Sequence, residues 1–187
     1  QDSLNPFYSD LVRQVEQELK KQGYDIIVAE TEQDLTNERR ALERMQERQV
    51  DGVIICPMDY QGISDLLEHY EAAGIHCVIL GAPAFGIPYD AIEVDLRTAT
   101  DTAMDYLVEL GHKNIAFVCG APAWQNVSAR LGSFETKLKE HGLPMRENST
   151  YRCGFTLKDG YEAGKHLLSM HPRPTAIFAL NDLLAIG

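Results

Sequence analysis

The stretch "LVELGHKNIAFVCG" (107–120) decides how the rest of the sequence is read. Leu107 and Leu110 close a helical stripe that runs through Ala99, Ala103 and Tyr106. Gly111 then stands where a helix stops on a residue in the left-handed conformation. A few residues later the period changes, and Ile115 to Cys119 is a continuous apolar run, too short for a helix. A strand with no polar face is covered on both sides, as in a parallel sheet packed between helices. Helix, glycine stop and buried strand together are half of a βαβ unit.

The same alternation extends in both directions. Further strand-like runs are "YDIIVAE" (24–30), "VDGVIICP" (50–57), "HCVILG" (76–81), "AIEVD" (91–95), "TYRCGF" (150–155) and "AIFAL" (176–180). Between them lie helical stripes: Phe7, Leu11, Val15 and Leu19; Leu35, Leu42 and Met45; Ile63, Leu66, Leu67 and Tyr70; Leu131, Phe134 and Leu138; and Tyr161, Gly164 and Leu168. Gly23, Gly74 and Gly142 supply the other helix stops. The expected class is α/β with parallel, doubly wound sheets. The pattern opens on the helix signal "NPFYSDLV" with no strand before it and closes after barely one turn of "LLAIG", so it is expected to be truncated at both ends.

Composition excludes several functions. Hydrophobic residues at 44% and charged residues at 24% are the proportions of a globular chain. No apolar run approaches the roughly 18 residues of a membrane helix. A net charge of −11 sets this segment against phosphate backbones, which require clustered Lys and Arg. Cys56, Cys77, Cys119 and Cys153 contain no C-x-x-C pair and read as free thiols in a reducing cytoplasm, with disulfides as the alternative in an oxidising compartment.

No cofactor loop is found. Neither G-x-G-x-x-G after a strand nor G-x-x-x-x-G-K-[ST] occurs, and "LGAPAFG" (80–86) reads as a plain loop. His166 and His171 are five residues apart, outside the spacing of a helical zinc pair, so no metal site is assigned. His112 and Cys119 could serve as base and nucleophile but have no third partner in the sequence, and no catalytic residue is assigned.

Four loops following four different strands carry polar or aromatic side chains. In "NPFY" (5–8) Asn5 suits a helix cap and Pro6 the first helical position, while Phe7 and Tyr8 either start a core stripe or wall a cleft. "AWQNVSARLGSF" (123–134) brings together Trp124, Asn126, Ser128 and Arg130, either as a capped helix with a solvated arginine or as a guanidinium and an amide converging on a ligand. Phe155 reads as a core aromatic or a lid over a ring. Asn181, in "PTAIFALNDLLAIG" (174–187), suits either a ligand hydroxyl or a helix N-cap. The carboxyl ends of parallel strands are where open α/β sheets bind ligands, and four such loops outline a crevice.

In order along nearly the whole length, "NPFYSDLVRQVEQELKKQGYDIIVAET", "ERRALERMQERQVDGVIICP", "VDLRTATDTAMDYLVELGHKNIAFVCG", "SARLGSF" and "PTAIFALNDLLAIG" resemble the effector-binding core of LacI/GalR-type transcriptional regulators. The resemblance implies two Rossmann-like lobes of periplasmic-binding-protein type, an N-terminal lobe over 1–111 and a C-terminal lobe over 112–187, with a small molecule bound between them. It implies ligand contacts from Phe7 and Tyr8 on the first lobe and from Arg130, with Asn126 and Trp124 beside it, Phe155 stacking over the ligand, and Asn181 bonding it from the second lobe. Thr98, at the helix start after "VDLR", is a weaker candidate. Leu96 stands where the family usually has Asn, and Ser133 where it has Gly. An acidic contact typical of the family lies beyond residue 187.

These residues point to a sensor for a sugar or sugar derivative, with a purine fitting the same side chains almost as well. The resemblance further implies a cytoplasmic homodimer that reaches operator DNA through an N-terminal helix-turn-helix outside these residues. The alternatives are a periplasmic sugar-binding protein of an ABC transporter and an enzyme on a Rossmann-like scaffold, which lacks a phosphate loop, a paired nucleophile and a metal cluster.

Overall fold

The computed structural model describes residues 5–32, 34–81, 88–120, 125–146 and 149–187, and of Gln125 and Asn126 the backbone alone. The chain forms two compact units, Gln1–Glu93 and Val94–Gly187.

The first unit contains helices α1 (Pro6–Lys21), α2 (Leu35–Glu47) and α3 (Ser64–Ala72) and strands β1 (Gly52–Ile55), β2 (His76–Leu80) and β3 (Asp90–Ile92). The strands form a parallel sheet in the order β1-β2-β3, with Ile55 beside Ile79 and Leu80 beside Ile92. Leu42 of α2 and Leu66, Leu67 and Tyr70 of α3 are buried against Ile55, Cys77 and Ile79. Helices α1 and α2 start where the sequence provides a cap: the Asn5 side chain accepts from the Phe7 N–H, and that of Asp34 from the Asn37 N–H.

"YDIIVAE" does not form a strand. Residues 24–30 form neither helix nor strand, with no pairing partner among the described residues, and Tyr24, Ile27 and Val28 are exposed. A strand exists only where a neighbour takes its hydrogen bonds, and β1, at the edge of the sheet, is paired with β2 alone. The stripe on α1 is also left partly open, with Leu11, Val15 and Leu19 half-buried and no residue of the helix fully buried.

The second unit contains α4 (Leu96–Glu109), β4 (Ile115–Cys119), α5 (Gln125–Glu140), β5 (Thr150–Arg152), α6 (Leu157–Ser169), β6 (Ala176–Ala179) and α7 (Asp182–Ile186). Its parallel sheet has the order β5-β4-β6, and every residue of the central β4 is buried. Phe117 lies between Phe134 and Phe178, with ring centroids 5.2 Å away in each case. Leu131, Phe134 and Leu138 of α5 are buried as their spacing requires.

Two stripes are offset by one residue from those the sequence suggests. On α4 the buried residues are Thr100 and Met104, while Tyr106 and Leu110 are exposed. On α6 they are Gly160, Ala163 and Leu167, while Tyr161 and Leu168 are exposed. The cause is close approach: a Cβ on Gly160 would lie 2.9 Å from the Leu184 Cα, so the smallest residue faces the neighbouring helix. On α4 the Thr100 hydroxyl is satisfied within its own helix by the Leu96 carbonyl at 2.7 Å, which permits its burial. Because Met104 is part of the second core, packing draws the boundary at 93/94, whereas the sequence boundary at 111/112 leaves α4 with the first lobe.

Candidate functional site

In the first unit the start of α1 meets the carboxyl end of β1. The Tyr8 hydroxyl lies 3.8 Å from the Sγ of Cys56, the residue that follows β1. Phe7 packs edge-on against the Tyr8 ring, with centroids 5.0 Å apart and planes at 83°. Phe7 is 64% exposed, so it presents an aromatic face rather than filling the core.

In the second unit three of the sequence candidates converge at the carboxyl ends of three neighbouring strands. Phe155, just past β5, lies across Gly120 at the end of β4. On the other side of β4, the Leu180 N–H bonds the Val118 carbonyl at 2.9 Å and carries the chain from β6 to Asn181. Arg130 reaches over from α5, its Nη1 donating to the Leu180 carbonyl at 2.6 Å. A guanidinium, an aromatic ring and a carboxamide are thereby brought to one edge of one sheet.

Asn181 is also the N-cap of α7, its Oδ1 accepting from the Leu184 N–H at 2.9 Å. The cap engages the oxygen and leaves the amide N–H2 outside that bond. Thr98 is engaged in its own helix start, where its N–H and hydroxyl both donate to Asp95, at 2.9 and 2.7 Å. Those bonds, the hydroxyl's first, lower the Asp95 carboxyl below its ordinary value. Trp124 and the Asn126 side chain lie outside the described residues.

Burial pushes the Cys119 thiol up to about 11, with Arg152 and Arg130 pulling the other way. A thiol that stays protonated at neutral pH is a poor nucleophile. His112 is at the opposite end of β4, its Nδ1 3.0 Å from the Thr175 hydroxyl, so it forms no pair with Cys119. All four cysteines are free thiols. Among the described residues no three His, Cys, Asp or Glu side chains group as metal ligands, and no helix is long and apolar enough to cross a membrane.

Several contributors to this edge escaped the sequence reading. The Leu180 carbonyl that holds Arg130 has no signature, because any residue supplies a carbonyl. The capping box of α6 did have one, in "TLKD" (156–159): the Asp159 N–H donates to the Thr156 hydroxyl at 3.2 Å and the Thr156 N–H to Asp159 Oδ2 at 2.9 Å. It fixes the backbone that follows Phe155.

The chain has extensive relatives. The family described as periplasmic binding proteins and sugar binding domain of LacI family matches residues 1–187. The ribose operon repressor of Escherichia coli (strain K12) is 31% identical over 186 residues, 99% of this chain and 56% of that protein. The HTH-type transcriptional repressor PurR of Haemophilus influenzae (strain PittEE) is 28% identical over 183 residues, 97% of this chain and 54% of that protein. The chain therefore spans about half the length of these curated relatives. Among solved structures, a LacI family transcriptional regulator from Lactobacillus casei with bound sucrose superposes with a TM-score of 0.88 at 26% identity, covering 100% of this chain and 68% of that one. The same regulator with bound glucose gives 0.86 at 26% identity, over 98% and 69%.

Proposed function

The chain belongs to the family of periplasmic binding proteins and LacI-type sugar-binding domains, and from that premise we propose that it is the effector-sensing core of a bacterial DNA-binding transcriptional repressor. The effector is a small hydroxylated ring, a sugar or sugar derivative. The observation that carries this reading is the convergence of Arg130, Phe155 and Asn181 at the carboxyl ends of β4, β5 and β6. An aromatic face covers the apolar side of a sugar ring, while guanidinium and amide donors fix its hydroxyls. Phe7 and Tyr8 add a second aromatic pair, at the start of α1 in the first unit. A purine ring satisfies the same groups by stacking on the aromatic face.

The effector favours whichever conformation of the domain it binds more tightly, by its differential affinity for it. A homodimer couples that shift to operator affinity. Operator contact belongs to a helix-turn-helix segment outside residues 1–187, since a charge of −11 repels phosphate. The protein works in the cytoplasm and catalyses no reaction. A transporter's sugar-binding protein shares the fold, but the relatives above are named as repressors and regulators, which favours the sensor.

The test is calorimetric titration of the whole protein with D-ribose, D-glucose, sucrose and adenine, repeated with Arg130→Ala, the thermal melting of both proteins being recorded. Binding by the unmodified protein that weakens at least about tenfold in the variant, the loss expected for a charge-assisted hydrogen bond, supports the site. Undiminished binding by Arg130→Ala places the ligand elsewhere.

A further inference from the structure

We propose that Gly120 is a positioning residue for the effector: its missing side chain is the seat that holds the Phe155 ring across the end of β4, so residue size at 120 sets which rings the second unit accepts. The proposal rests on the effector-site reading above. A Cβ on Gly120 would lie 2.8 Å from the Phe155 Cε2, 2.9 Å from Cε1 and closer still to Cζ. These are the outer atoms of the ring, so its tip rests directly on the Gly120 backbone. The φ of Gly120 lies outside the left-handed region, so the conformation at this position does not demand glycine. The space does.

The backbone that carries the ring has little room to retreat. Phe155 sits between Gly154 and Thr156, and both are fixed by Asp159. A Cβ on Gly154 would meet the Asp159 carboxylate, with Cγ at 2.9 Å. The Thr156 N–H and hydroxyl donate to Asp159 Oδ2 at 2.9 and 2.6 Å. With the backbone held on both sides, a side chain at 120 is accommodated only by rotating the ring away from the strand ends. A ring seated in one glycine and braced beside another is a platform organised before the ligand arrives, and such order strengthens binding by removing the cost of imposing it.

A double-mutant cycle tests this on the whole protein, with Gly120→Ala, Phe155→Leu and the double variant titrated calorimetrically against the same four probes and melted in parallel. Gly120→Ala is expected to weaken binding about tenfold or more, by displacing a stacked ring and overfilling its seat. The decisive comparison is the double variant: with the ring gone, alanine at 120 obstructs nothing, so its affinity equals that of Phe155→Leu and its melting temperature exceeds that of Gly120→Ala. The comparison stands even if Gly120→Ala alone does not fold. Binding by Gly120→Ala within about twofold of the unmodified protein, or a double variant weaker than Phe155→Leu by the full Gly120→Ala factor, overturns the proposal. Failure of the unmodified protein to bind any of the four probes overturns the effector reading itself, and this inference with it.

Discussion

Replacing Glu38 with glutamine should stabilise the first unit at neutral pH and leave it unchanged in acid. Glu38 lies on α2 with only 5% of its surface exposed. One carboxylate oxygen accepts the Met58 N–H at 3.3 Å, and the other has no hydrogen-bond partner among the described residues. Burial therefore raises its pKa above the ordinary carboxyl value. The folded state then binds the proton more tightly than the unfolded state, so stability declines as pH rises from the ordinary value to the raised one, and the penalty is complete above that window. A buried polar group without a partner costs about 1–3 kcal/mol. Glu38→Gln removes the charge but leaves an amide N–H2 in the same place, so the lower end, about 1 kcal/mol of gain at pH 7, is expected. Below the ordinary carboxyl value both proteins carry a neutral group and should be equally stable. Urea unfolding at a series of pH values from 4 to 8, followed by circular dichroism, measures the difference. A variant less stable than the parent at pH 7, or a difference that does not change with pH, would refute the reasoning and mean that the charge is used by a donor.

Phe134→Ala should destabilise the second unit by about 3–5 kcal/mol in urea unfolding, because a fully buried ring against Phe117 leaves a cavity in the middle of its core. Asp65→Asn should make the acid limb of stability shallower. Hydrogen bonds from Arg39 hold the Asp65 carboxyl down to about 2, so the pair's contribution is present above the ordinary value of 3.8 and is lost as pH falls towards 2. Thermal melts between pH 5 and 2 should show a smaller loss in the variant than in the parent, in which Asp95, Asp105 and Asp159 contribute the rest. The amides of residues 25–30 should exchange hydrogen nearly as fast as an unfolded chain while those of β4 stay protected; slow exchange at 25–30 would mean that this segment pairs as a strand after all.

How much of this was legible follows from what each signal encodes. Ile115–Cys119 was readable as a buried strand because five apolar residues between polar punctuation have few other uses, and the structure buries all five. Glycine stops were equally direct: Gly23, Gly74, Gly111 and Gly142 all have positive φ. "YDIIVAE" has the right composition and is not a strand, since composition cannot report whether a neighbour is available. The helical stripes of α4 and α6 were misplaced by one residue because a helical wheel weights large apolar side chains. Here the faces that pack most closely carry Thr100, Gly160 and Ala163, and the aromatics Tyr106 and Tyr161 face outward. In the site, residue types pointed to Arg130, Phe155 and Asn181, and the parallel topology brought them together. The Leu180 carbonyl and the seat at Gly120 were not legible, because a backbone oxygen and an absent side chain leave no mark that differs from an ordinary loop.

Effector binding at the carboxyl ends of β4, β5 and β6, as proposed above, can be mapped residue by residue. Amide hydrogen exchange of the whole protein, with and without saturating amounts of whichever of ribose, glucose, sucrose or adenine binds in calorimetry, tests it most directly. Slowed exchange is expected at residues 153–156 and 180–184 and in the first turns of α5. Ligand-induced protection confined to other segments, with these unchanged, would contradict it.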